Sequence, residues 1–86
     1  MMKEKEIGVV THYFGHVSVG IIELCDSLAV GDVVHVKGAH DDFTQTIESI
    51  QVEHEDVTQG KKGDVVGIKV IQKVHSHDKV YKVTEQ

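Results

Sequence analysis

The sequence has no proline, no tryptophan and no arginine, a single cysteine, and only four aromatic residues among its 86. Each shortage excludes something. With Cys25 alone no intrachain disulfide forms, so the fold must rest on packing. Without proline, turns fall to glycine and short polar residues. Without arginine, the planar fork that usually grips phosphate and guanine is missing, and all nine basic residues are lysine. Apolar runs are short as well. None approaches the roughly 20 residues needed to cross a bilayer, and Met1-Met2-Lys3-Glu4-Lys5-Glu6 lacks the apolar stretch of about 7–15 residues that marks a secretory signal. The expectation is a cytoplasmic protein with no membrane partner.

Helical periodicity is also scarce. Period-two alternation rich in β-branched residues takes its place, so the chain reads as all-β. A chain of this length supports one domain with one modest core. The net charge of −5 is uneven: residues 1–60 hold three lysines against eleven acids, and residues 61–86 hold six lysines against three. An acidic chain with pI about 5.7 lacks the overall basic footprint of a nucleic-acid binder.

The alternation predicts strands over about Glu6–Tyr13, His16–Leu24, Val33–Lys37, Phe43–Val52, Val65–Ile71 and Lys79–Val83, with a turn at Gly15 and Gly-Asp turns at Gly31-Asp32 and Gly63-Asp64. In Phe43–Val52 the apolar parity changes between Ile47 and Ile50, which predicts a bulge near Glu48–Ser49. Glu53–Lys62 reads as a polar link. Six short strands with glycine punctuation predict a single small closed six-stranded antiparallel β-barrel, a solution that removes sheet edges. The barrel is expected over residues 6–83, after a flexible N-terminus at 1–5 and before a tail at 84–86.

One ordered set of blocks carries a family likeness: Ile7-Gly8-Val9-Val10, Val17-Ser18-Val19-Gly20-Ile21-Ile22, Leu28 through Gly38, Thr46 through Val52, and Gly60-Lys61-Lys62-Gly63-Asp64-Val65-Val66-Gly67-Ile68. It resembles domain 2 of the translational GTPases, of the elongation factor Tu and initiation factor 2 type, in which a Gly-Asp turn closes each of two blocks. The resemblance implies a six-stranded barrel. A similar barrel serves as a C-terminal accessory domain in collagenase-like peptidases. The G-x-x-x-x-G-K-[ST] phosphate loop is absent from the sequence, so no GTP hydrolysis is expected. In elongation factor Tu the barrel helps hold the aminoacylated end of transfer RNA. The first hairpin here, His12-Tyr13-Phe14-Gly15-His16, departs from the family pattern, as do Ser49 and Gln51, and these departures argue against transfer-RNA binding.

Seven histidines invite a metal or pH-sensing reading, through His75-x-His77 on one strand face or His12 and His16 across the hairpin. Zinc needs three or four converging ligands, and no three share a metal-site spacing, so neither metal nor cofactor is expected. The neighbours of Cys25, Leu24 and Asp26, supply no cation to activate a thiol, and no serine sits in a G-x-S-x-G elbow. The chain is therefore expected to be no enzyme. The reading is a non-catalytic binding module that docks on a protein or ribonucleoprotein partner in translation, with Tyr13, Phe14, His16, Lys61, Lys62 and Lys69 as candidate contacts. One alternative is an accessory subunit of an enzyme such as a peptidase-like partner. Another is a lysine-mediated RNA binder, using Lys61, Lys62, Lys69, Lys73, Lys79 and Lys82 with Tyr13 and Phe14.

Overall fold

Three β-turns of one build organise the chain. In Ala29–Asp32, Lys61–Asp64 and His75–Asp78 the fourth residue is an aspartate whose Oδ2 accepts the backbone N–H of the first, at 2.9 Å each time. Its own N–H returns to the carbonyl of the first residue, at 3.0, 2.9 and 3.1 Å. The third residue takes a positive φ in all three: 97° at Gly31, 92° at Gly63 and 76° at His77. That conformation is easy for glycine and costly for a side chain. A strand follows each turn within one residue. The two Gly-Asp turns are those expected from the sequence. The third was hidden because histidine replaces glycine.

The structure, a computed structural model, describes residues 2–85, and it describes side chains over 3–84. Among the described residues there are ten strands and no helix. They are β1 (Met2–Phe14), β2 (Val19–Leu24), β3 (Leu28–Ala29), β4 (Val33–Lys37), β5 (Asp42–Thr46), β6 (Ile50–Val52), β7 (Glu55–Val57), β8 (Gln59–Gly60), β9 (Val65–Lys69) and β10 (Lys79–Glu85). Eight form one antiparallel ladder in the order β5-β4-β10-β1-β2-β9-β6-β7, and β3 pairs with β8 apart from it. The spine is β1. Its first part pairs with β10, from Met2 opposite Glu85, and its second with β2, ending at Phe14 opposite Val19. Register shifts between Glu6 and Gly8 and between Val10 and His12 place an extra residue, Ile7 and then Thr11, on β1. Such bulges bend a strand and increase its twist, which curls the sheet over its own inner face.

That inner face is the core. Alternate residues supply it: Ile22 and Leu24 from β2, Val34 and Val36 from β4, Val66 and Ile68 from β9, with Ile7, Val10, Ile50 and Val80 from their neighbours. Leu28 of β3, and Ile47, Val70 and Val74 from the connecting segments, complete it.

The expected closed barrel of six strands differs from this ladder, whose two ends, β5 and β7, do not pair. Across the gap beside β5 a side chain stands in for a strand. Gln45, 8% exposed, donates from Nε2 to the Lys69 carbonyl at 2.8 Å and accepts the Ile71 N–H at Oε1, 3.0 Å. The expected bulge at Glu48–Ser49 is instead a break. The strand stops at Thr46 and resumes at Ile50 in a different neighbourhood, with β5 against β4 and β6 against β9 and β7. The parity change was real, since Ile47 and Ile50 are both buried. The polar link Glu53–Lys62 contains two short strands, β7 and β8, and the first strand begins at Met2 rather than Glu6. No helix among the described residues is long and apolar enough to cross a membrane.

Candidate functional site: an apolar groove on the outer sheet face

Strand β2 is apolar on both faces, and only one of them is covered. Gly20, Ile22 and Leu24 point into the core, while Val19 and Ile21 point outward and remain half-buried. On the neighbouring strand Gly67 lies opposite Ile21 on one side and Gln51 on the other. A glycine in that row leaves a trough. A Cβ at position 67 would stand 3.2 Å from Val19 Cγ1 and 3.5 Å from Ile21 Cδ1, so the missing side chain forms the groove floor. Phe14 (49% exposed), Val17 and Val65 (each 54%) wall a groove of about 380 Å³. Contiguous exposed apolar surface of this kind marks contact sites on soluble domains.

The rim is polar and conformationally strained. Glu53 and His54 line it, and both have positive φ, 51° and 67°, in the two-residue turn that joins β6 to β7. Asn-Gly pairs usually fill such turns, because side chains resist two successive left-handed residues. Lys69 lines an adjoining hollow together with Ser49, Gln51 and His54.

The candidate contacts read from the sequence are therefore divided. Phe14 walls the groove and is stacked on His12, with ring centroids 6.1 Å apart. Tyr13 turns the other way and packs against the core. His16 is exposed on the turn between β1 and β2, where its neighbour Val17 is the residue that faces the groove. Lys61 and Lys62 are exposed in the turn before β9 and do not line the groove, whereas Lys69 borders it. Lys79 and Lys82 of the suggested lysine patch lie near acids, Glu6 at 3.5 Å and Asp32 at 3.4 Å. Sequence reasoning missed Val19, Ile21, Val65 and Gly67 as a surface. The available signal was the run Val19-Gly20-Ile21-Ile22, apolar on both parities.

Two histidine clusters lie elsewhere. His35 on β4 sits between acids from two other strands, its Nδ1 2.9 Å from Glu4 Oε2 on β1 and its Nε2 against Asp42 Oδ1 on β5. The hydrogen bonds to Asp42 and Glu4 raise its pKa above the ordinary imidazole value. The Tyr81 ring of β10 lies beside it, with centroids 6.3 Å apart. The second cluster joins Asp41, in the loop between β4 and β5, to His75 and Asp78 of the third turn, with His75 Nδ1 2.7 Å from Asp41 Oδ2. Burial pushes the Asp78 carboxyl up, and the neighbouring Asp41 pushes it further. Burial works to raise Asp41 too, but hydrogen bonds with Asp78 and His75 outweigh it and hold Asp41 below the usual carboxylate range. Neither histidine pairing weighed in the sequence assembles a site: His77 lies outside the cluster of Asp41, His75 and Asp78, and His12 stacks on Phe14 rather than on His16.

Fold and groove together describe a small all-β domain with an exposed apolar face. No protein-family model matches the chain. It is 37% identical over 81 residues to an uncharacterized protease of Methanocaldococcus jannaschii, and the match takes in 93% of this chain and 20% of that protein. The chain thus spans about one-fifth of the length of that relative. Its structure is similar to the C-terminal domain of a U32 peptidase candidate of Geobacillus thermoleovorans, with a TM-score of 0.84 at 23% identity, covering 88% of this chain and 89% of that domain. The selenomethionine form of the same domain gives a TM-score of 0.85 at 22% identity, covering 88% of this chain and 96% of that one. At these identities the structural likeness establishes the fold.

These matches overturn the resemblance to domain 2 of the translational GTPases, and with it the reading of a translation-factor-like module. The reason is physical. Two of the five blocks that carried the resemblance are Asp-closed turns with their following strands, and such turns recur wherever a short link must lead into a strand. They report the fold rather than a role in translation.

Proposed function

We propose that this chain is a non-catalytic accessory β-domain of a peptidase-type protein, docking on the body of that protein or on a separate peptidase-like subunit. The observation that carries the reading is the 37% identity to one-fifth of a protease, covering nearly the whole of this chain. The apolar groove walled by Phe14, Val17 and Val65 supports it, because an exposed face of this kind calls for a cover. The domain works here as a positioning or recognition element, and the chemistry belongs to the partner. The barrel reading is kept in a weaker form: a curled sheet whose gap beside β5 is sewn by the Gln45 side chain rather than by strand pairing.

Capture from native extract of the source cells, with mass-spectrometric identification, tests the reading. Retention of a peptidase by the wild-type chain, and its loss with Gly67→Leu, is the expected result. Retention of ribosomal components alone would refute it.

A further inference from the structure

The three Asp-closed turns share one geometry, yet their aspartates meet different surroundings. Asp32 has a lysine nearby, with Lys82 Nζ at 3.4 Å, and Asp64 is half-buried. Asp78 is 3% exposed and faces another buried carboxyl group, that of Asp41, 7% exposed. Closing the turn needs only Asp78. Asp41 comes from a loop 34 residues before His75, and the same turn forms twice elsewhere in the chain without such a guest. The groups beside this pair are imidazoles, His75 and His40, whose ring centroids lie 5.4 Å apart.

We propose that Asp41, His75 and Asp78 form a binding site for a divalent transition-metal ion of the zinc class. One ligand atom from each already lies within 4.8 Å of the other two. An ion bonded at about 2.0–2.2 Å to each would hold them roughly 3.5 Å apart, so only small movements are needed. A carboxylate pair with imidazole suits zinc, cobalt or manganese, whereas calcium and magnesium favour all-oxygen shells. Room for the Asp78 carboxyl exists because residue 38 is glycine: a Cβ there would fall 1.8 Å from Asp78 Oδ1. The His75 side chain is 41% exposed and gives the ion a path from solvent.

The test titrates the metal-free full chain with Zn²⁺ by calorimetry, with Mg²⁺ as comparison. Saturable binding of one Zn²⁺ per chain is expected. Asp41→Asn and His75→Ala should each weaken it by at least roughly the 10–100-fold that loss of even an outer partner costs. The double variant His12→Ala, His16→Ala should bind as the wild type does. No saturable binding by the wild type, or wild-type affinity retained by Asp41→Asn and His75→Ala, overturns the proposal. Should a variant unfold, Co²⁺ added to the wild type decides by NMR. Broadening centred on residues 40–42 and 74–78 supports the site, and broadening centred elsewhere overturns it.

Discussion

His77 holds a backbone conformation that the two sister turns give to glycine. Its φ of 76° costs a side chain roughly 1–2 kcal/mol, partly offset by the greater freedom that glycine brings to the unfolded chain. His77→Gly should therefore raise stability by up to about 1 kcal/mol in urea denaturation. Gly63→Ala should lower it by about 1–2 kcal/mol, and for conformational reasons alone, since nothing lies within 4 Å of a Cβ built there. His35 makes a different prediction. Bonds to Asp42 and Glu4 raise its folded pKa above 6.5, so its contribution is full below pH 6.5 and fades as pH rises through the higher folded value. The urea midpoint of the wild type should fall across that window. The fall should be smaller in His35→Asn, and an unchanged slope would remove His35 from the account.

Among the elements, Gln45 does the work of a missing strand pair. Gln45→Ala leaves the Lys69 carbonyl and the Ile71 N–H without their partner and should cost about 1–3 kcal/mol, read from the denaturation midpoint. Hydrogen exchange at Ile71 should accelerate in the same variant. This bridge was illegible in the sequence, because a lone glutamine inside an alternating run reads as a surface residue. Strand β4 was legible to the residue, since Val33–Lys37 alternates cleanly between two glycines. The hairpin of β6 and β7 was not, because its turn is Glu53-His54 and carries none of the residues that announce a left-handed pair. The change of parity between Ile47 and Ile50 signalled a break in pairing without saying whether the chain bulges or turns a corner.

At the scale of the whole molecule, the sequence disclosed an all-β domain and offered a peptidase-like accessory role as one alternative, while its ordering of turns pointed to the wrong family. Turn chemistry is shared by many folds and says little about partners. Phe14 was singled out as a candidate contact because an aromatic beside a turn glycine stands out. Gly67 was not, since its role depends on Val19 and Ile21, which only the pairing of β2 with β9 brings beside it. Gly67→Leu fills the groove from its floor while leaving the buried face of β9, Val66 and Ile68, untouched. Circular dichroism should therefore match the wild type. The most direct measurement is the affinity capture of a peptidase from native extract by the wild-type chain and by this variant, side by side. The account predicts a peptidase retained by the wild type and lost by Gly67→Leu. Equal retention by both, or capture of ribonucleoprotein without a peptidase, would contradict it.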